Sequence, residues 1–384
     1  MHILIIPTNY PNNYNLVSNI FFKDQAEALS IYGHKVGVLA FVPITIRMIL
    51  KQKKISLGLT IHYENNVTTW IYQFLVLPKS EKIQQWFRKI IGLMLFKKYI
   101  IVNSKPDIMH VHVYKAAITA FAIRNYYSIP IVITEHSSSF QKDNIPKFDY
   151  NIAKYAYNNS NLNIAVSNEF KNLLEYKYSV SFNYIPNVVN TNYFKPMKEQ
   201  FKDTFKIRLL NIAYLQEKKN QLMLIEVFSK IIKIIPNLLL FIGGSGPEEM
   251  NLRFCIKKLG LCDSVFLLGK LSREEVRNEM QNCNIFVLPS KIETFGVVLI
   301  EAMSCGKPVV ATKSGGPESI ITEPYLGELV ENSEEALLEG LIKAIRKLNH
   351  FNSDEIRNFV IKHFSPEAIA QKLTNTYENL LENF

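Results

Sequence analysis

The feature that most constrains this chain is a rhythm that runs its whole length: short apolar runs alternate with longer amphipathic stretches, and Gly, Pro or Asn separate them. In the first half, residues 2–7, 35–41, 107–112, 129–134, 163–167 and 182–186 read as strands, and 21–32 and 116–127 as helices, the first closed by Gly33. The second half repeats the pattern. Strands are expected at 209–214, 238–242, 265–268, 284–290 and 308–312, and helices at 220–232, 248–259, 272–281 and 333–348. A last helix starts at Ser365-Pro366, with Ser as N-cap and Pro at the first helical position. Strands that alternate with helices imply βαβ units and parallel sheets. The 384 residues suggest two domains. Pro and Asn punctuate 186–196, so the domains are expected at 1–190 and 191–365, with 366–384 returning to the first. The fold class is α/β: two facing, doubly wound, Rossmann-like domains that bind ligands in the cleft between them, at the carboxyl ends of their strands.

Composition narrows the function classes. With 48% hydrophobic and 20% charged residues the chain can build sizeable cores. It has no uncharged apolar run of about 18 residues, so no transmembrane helix is expected. The start, Met1-His-Ile-Leu-Ile-Ile-Pro7, lacks the basic opening of a signal peptide and reads as a strand. Cys255, Cys262, Cys283 and Cys305 have neither metal-ligand spacing nor a Cys-x-x-Cys pair, as suits reduced thiols in a cytoplasmic protein. The net charge of +10 is uneven: residues 1–200 hold 22 Lys and Arg against 11 Asp and Glu, while 201–384 hold 22 against 23. No nucleic-acid module accompanies the excess, so no nucleic-acid partner is expected. The basic residues cluster with apolar ones at 46–54 and 79–98. In the second stretch Trp86 and Phe87 stand beside Lys82, Arg88, Lys89, Lys97 and Lys98, the pattern of a helix lying on an anionic membrane surface. The alternative is an ordinary surface helix packed on a sheet.

One segment carries chemistry: Glu293-Thr-Phe-Gly-Val-Val-Leu-Ile-Glu301, after a strand and running into a helix. Backbone N–H groups around Phe295, Gly296 and Val297 would be unsatisfied at the helix start, where the dipole favours an anion. Glu301 is placed about two turns further along, within reach of a hydroxylated group such as a ribose. Glu293 would reach the anion's other side. The segment thus reads as a clamp for a sugar–phosphate ligand. A buried amphipathic helix with two incidental glutamates is the competing reading.

The ordered set of motifs decides between them. Glu293-Thr-Phe-Gly through Glu301-Ala-Met-Ser-Cys-Gly-Lys-Pro308, Gly315-Gly-Pro-Glu318, Glu217-Lys-Lys-Asn220, Gly243-Gly-Ser-Gly-Pro247, Pro106-Asp107 with His110 and His112, and Ile185-Pro-Asn-Val-Val-Asn190 occur in the order of the retaining nucleotide-sugar glycosyltransferases of family four. Over nearly the whole chain the sequence resembles that family, whose fold is GT-B. The resemblance implies a role for each matching residue. Glu293 would contact the donor sugar and Glu301 the nucleotide ribose. Thr294, Phe295, Gly296 and Val297 would present backbone donors to the diphosphate and sugar. Lys219 would sit on the diphosphate, and the loop with Gly244 would pass close to the nucleotide. His136, in Thr134-Glu-His-Ser137, matches a His that approaches the donor. Asn19 stands where relatives often have Gly, and Glu135 and His112 are further candidates for contacting the acceptor or supporting the site. Tyr214 stands where relatives often carry a phosphate-binding Arg, and it supplies no permanent charge.

The implied function is transfer of a sugar, with retention, from a nucleoside diphosphate sugar to a hydroxyl. The acceptor would be a saccharide or lipid-linked saccharide in surface-polysaccharide or glycolipid assembly, at the inner face of the cell membrane. No cofactor or metal is expected. An epimerase or hydrolase of nucleotide sugars, or a non-catalytic binding protein, are the alternatives.

Overall fold

The computed structural model describes residues 1–11, 20–51, 55, 57–76, 81–142, 144–197 and 206–384, except the side chains of Arg47, Lys51, Glu81 and Lys82. The chain splits into two compact units. The first comprises Met1–Val166, Lys171–Val188 and Pro366–Phe384, and the second Ser167–Phe170 and Val189–Ser365.

The first unit is built on an eight-stranded sheet. Its strands are β1 (His2–Pro7), β2 (Lys35–Thr45), β3 (Gly58–Glu64), β4 (Val67–Val76), β5 (Ile108–His112), β6 (Ile131–Glu135), β7 (Leu162–Ala165) and β8 (Asn183–Tyr184), in the order β3-β4-β2-β1-β5-β6-β7-β8. All pairs are parallel except β3 with β4. The chain winds outward from β1 to one side and then restarts at β5 on the other, so the strand order reverses between β1 and β5. The helices are α1 (Ile20–Ile31), α2 (Ile46–Lys51), α3 (Glu81–Asn103), α4 (Ala117–Arg124), α5 (Lys147–Asn159), α6 (Asn168–Tyr178) and, from the chain's end, α13 (Pro366–Glu382). Strands β1 and β5 are buried along their whole length, as expected of parallel strands covered on both faces. Ile369, Ala370, Leu373 and Tyr377 of α13 join Phe22, Ala26 and Leu29 of α1 in this core.

The second unit has a six-stranded, all-parallel sheet. Its strands are β9 (Ile207–Ile212), β10 (Leu238–Gly243), β11 (Val265–Gly269), β12 (Ile285–Leu288), β13 (Val309–Thr312) and β14 (Gly327–Val330), in the order β11-β10-β9-β12-β13-β14. Here the order reverses between β9 and β12. The helices are α7 (Gln221–Ile234), α8 (Glu249–Lys258), α9 (Arg273–Asn282), α10 (Val297–Ser304), α11 (Glu334–Arg346) and α12 (Ser353–Phe364). Ser272 and Glu275 form a capping box that starts α9.

Three differences from the sequence reading have physical causes. The rhythm assigns nothing at 55–78, where β3 and β4 form a hairpin. Its two-residue turn is Asn65-Asn66 with φ 50° and 60°, a conformation that Asn tolerates and that suits tight hairpins. Helices α5 and α6 also escape the reading, because Asn, Tyr and Lys crowd their sequences and lower their apolar content. Finally, α10 begins at Val297, so Glu301 lies about one turn into the helix and not two.

Candidate active site

The second unit's reversal point gathers most of the expected residues. Lys219 ends a 3-10 turn (Glu217–Lys219) after β9, and Glu293 lies in the loop after β12. Their side chains meet as an ion pair, Lys219 Nζ to Glu293 Oε1, with both largely buried. Ser290 Oγ donates to the same carboxylate oxygen at 3.3 Å. Backbone bonds pin this loop on both sides: Lys291 N–H donates to the Lys218 carbonyl at 2.8 Å and Glu293 N–H to the Ser314 carbonyl at 2.9 Å. Thr312 Oγ1 adds a bond to the Ser290 carbonyl at 2.6 Å. Lys291 pairs with Glu217 at 3.1 Å.

Thr294 and Phe295 continue into Gly296, which caps α10 at φ 100°. The first turn of α10 holds no acidic side chain, and the positive end of a helix dipole favours an anion. Leu299 N–H bonds back to the Gly296 carbonyl, so Gly296, Val297 and Val298 are the leading N–H groups of the helix, without acceptors inside it. Glu301 is 8% exposed. Gly316 packs directly on this turn: a Cβ there would lie 2.5 Å from the Phe295 Cα and N, so only glycine allows the approach. Glu318 accepts the Gly315 N–H with both carboxylate oxygens at 3.0 Å and holds that glycine loop in place.

The loop after β10 lies on the loop after β9. Gly244 adopts φ 139°, and a Cβ there would stand 1.9 Å from the Ala213 carbonyl oxygen. Leu215 N–H donates to the Ser245 carbonyl at 3.0 Å, which locks the two loops together. Between them Tyr214 points outward and is 56% exposed. Sequence reasoning missed Ser290 and Ser314 as supports of the site, and it placed Glu318 in a motif without giving it a role. Their place in loops that follow β12 and β13 was the available signal.

At the first unit's reversal point the chemistry is different. His112 ends β5, and His136 follows β6. The two rings are joined by a 3.1 Å hydrogen bond between Nδ1 of His112 and Nε2 of His136. Phe21 and Phe22 at the start of α1 each lie 5.0 Å from the His136 ring, centroid to centroid. Burial, with the nearby His110 adding to it, pushes the His136 pKa down to about 3, so the imidazole is neutral near pH 7. His112 is held well below its usual range by burial and by both neighbouring histidines. His110 lies behind them. It is bonded to Thr134 Oγ1 at 2.7 Å and to the Tyr377 hydroxyl of α13 at 2.6 Å, and burial lowers its pKa to about 3.

Of its two expected roles, Glu135 fits the supporting one and not contact with an acceptor. It is fully buried at the end of β6, and four donors fill its carboxylate: the N–H groups of His136 (2.9 Å), Ser137 (2.7 Å) and Tyr114 (3.0 Å) and the Tyr157 hydroxyl (2.7 Å). Its work is to brace the loop that carries His136. Asn19 lies outside the described residues.

On the outer face of the first unit, α3 exposes Ile83, Trp86, Phe87, Ile90 and Met94, with Lys89, Lys97 and Lys98 also exposed. Arg88 departs from the interfacial pattern. It turns inward to the Thr8 carbonyl at 3.4 Å, and burial lowers its pKa to about 10. Lys79, residues 52–54 and the side chains of Arg47, Lys51 and Lys82 lie outside the described residues. Among the described residues no helix is long and apolar enough to cross a membrane.

Residues 20–193 match Glycosyltransferase Family 4 and residues 194–358 match Glycosyl transferases group 1. The chain belongs to this glycosyltransferase family, and its two units have the GT-B fold. One relative, a phosphatidylinositol N-acetylglucosaminyltransferase subunit of Homo sapiens, is 26% identical over 383 residues, 97% of this chain and 74% of that protein. The Arabidopsis thaliana protein of the same name is 30% identical over 198 residues, 52% of this chain; the match spans 44% of that protein. An uncharacterized glycosyltransferase of Methanocaldococcus jannaschii is 30% identical over 294 residues, 74% of this chain and 78% of that protein. Among solved structures, sucrose-phosphate synthase from Thermosynechococcus elongatus superposes with a TM-score of 0.80 at 19% identity, covering 100% of both chains. Anabaena HepE, solved with UDP and glucose, gives 0.73 at 18% identity, covering 98% of this chain and 99% of that one.

Proposed function

We propose that the chain transfers a sugar from a nucleoside diphosphate sugar to a hydroxyl, with retention at the anomeric carbon. One observation carries this reading: Lys219 and Glu293 are paired at the second unit's reversal point, beside a helix N-terminus with Glu301 one turn in. In this reading the diphosphate rests on the N–H groups of Gly296 and Val297 and draws the Lys219 ammonium toward itself. Glu293, released from its pair, accepts hydroxyls of the sugar, and Glu301 accepts those of the ribose. As the bond from the anomeric carbon to the diphosphate oxygen breaks, negative charge grows on that oxygen, and a fixed cation there favours the transition state over the ground state. The acceptor hydroxyl attacks from the same face. Its oxygen bonds to the anomeric carbon and its proton passes to the departing phosphate oxygen, so no side-chain nucleophile is needed. Within the first unit, His136 offers a neutral hydrogen-bonding group. No cofactor takes part.

The acceptor we infer is a saccharide or lipid-linked saccharide at the inner face of a membrane, with α3 as the contacting surface. Exposed Trp86 and Phe87 among Lys89, Lys97 and Lys98 support this. Each such lysine near anionic lipid contributes about 1 kcal/mol. Tyr214 in place of a cation favours a second reading, a binding protein without turnover. A panel of nucleoside diphosphate sugars screened by thermal unfolding decides the donor, since stabilisation follows ligand concentration over dissociation constant. The best donor is then followed by NMR with and without a membrane-lipid extract. Transfer to the extract with the anomeric configuration kept is expected. Conversion of the donor without any acceptor would contradict the reading.

A further inference from the structure

The first unit contains a cavity of about 430 Å³ bordered by α3, α4 and α5. That size falls in the ~300–1,000 Å³ range of small-molecule sites. Ile118 and Phe121 of α4 and Ile152 and Tyr155 of α5 form an apolar wall, while Lys89 of α3 and Arg124 of α4 bring two cations to it. Among the described residues no carboxylate lines the cavity. Arg124 donates to the Asn159 carbonyl at 2.6 Å and lies over the Phe121 ring at 4.9 Å, which fixes its charge beside the apolar wall. An apolar slot with cations and no acidic group fits an amphiphile with an alkyl chain and an anionic head.

The surroundings narrow the occupant. Lys89 lies on the same helix as exposed Trp86, Phe87 and Ile90, and from Ile83 to Asn103 that helix carries no acidic residue. Tyr114, in the turn that follows β5, also borders the cavity. We propose that this cavity seats one alkyl chain of a phosphate-bearing membrane lipid, with Lys89 and Arg124 at the phosphate. The proposal rests on the reading of α3 as a membrane-contacting face, and it adds a defined chain site to that face.

The test uses the full chain and alkyl phosphates of increasing length, each below its micelle concentration. Each buried methylene strengthens binding about fourfold, so dodecyl phosphate should bind at least tenfold more tightly than octyl phosphate, and butyl phosphate scarcely at all. Ile118→Trp and Ile152→Trp, which fill the slot, should each lose tenfold or more for dodecyl phosphate while keeping the thermal midpoint and the binding of phosphatidylglycerol vesicles. Replacing Trp86, Lys97 and Lys98 by Ala should do the reverse. Wild-type affinity independent of chain length, or unchanged affinity in both filled variants, would overturn the proposal. Absence of vesicle binding, with dodecyl phosphate still held in the cavity, would remove the membrane reading and support the chain site.

Discussion

The two reversal points share a topology and differ in chemistry. In the second unit, at β9 and β12, the loops carry a lysine, a glutamate and a helix N-terminus, tied together by backbone hydrogen bonds. In the first, at β1 and β5, the same place holds histidines kept neutral by burial and packed against Phe21 and Phe22. Parallel sheets place loops together at such points whatever the sequence, and residue chemistry then decides what each can bind. A lysine–glutamate pair beside a helix N-terminus is chemistry that suits a phosphate, whereas neutral imidazoles among aromatic rings offer hydrogen bonds and apolar faces.

The sharpest way to break this contrast is to remove the charge. Lys219→Ala should lower kcat by about 10²–10³, the loss seen when one preorganised transition-state contact is deleted, with the fold retained because Glu293 keeps its Ser290 and Ser314 bonds. Steady-state kinetics with the donor found by screening reads it; Lys218→Ala should leave kcat within a few-fold. Equal losses in the two variants would mean that the pair's geometry is irrelevant.

A smaller effect tests the neutral side. The unfolded chain protonates His110 and His112 near pH 6.5, whereas the folded protein holds them well below that. Below about pH 6.5 the unfolded state therefore binds more protons, and stability falls as the pH drops from there toward about 3. Between pH 7 and 5 the loss is at most about 2 kcal/mol per buried histidine. Thermal unfolding at the two pH values measures it, and His112→Asn should shrink the difference. An unchanged difference would show that these rings do not report the burial ascribed to them.

Much of the second unit was legible in the sequence, because its site is local: Glu293, Gly296 and Glu301 sit within one strand–loop–helix segment, and Gly244 and Lys219 each follow a readable strand. The braces were harder to see. Gly316 against Phe295 joins two loops that only the sheet brings together, whereas Glu318 against Gly315 is a contact inside one loop, to which its motif assigns no role. The first unit was less legible still. The bond from His110 to Tyr377 joins residues 267 positions apart and leaves no mark on any local period. Glu135 was open to either an acceptor-contacting or a supporting role, and nothing near it in sequence announces Tyr157, 22 positions on, as its partner. The expectation for Glu301 failed by one turn because the glycine that starts the helix also delays it.

The account's central claim is that the second unit's reversal point clamps a nucleoside diphosphate sugar, with Glu301 on the ribose. Calorimetric titration of wild type and Glu301→Ala with that donor tests it most directly. Losing a charged acceptor from a buried hydroxyl contact should weaken donor binding by about 10- to 100-fold, with the unfolding midpoint little changed. Unaltered affinity in a folded Glu301→Ala protein would contradict the claim.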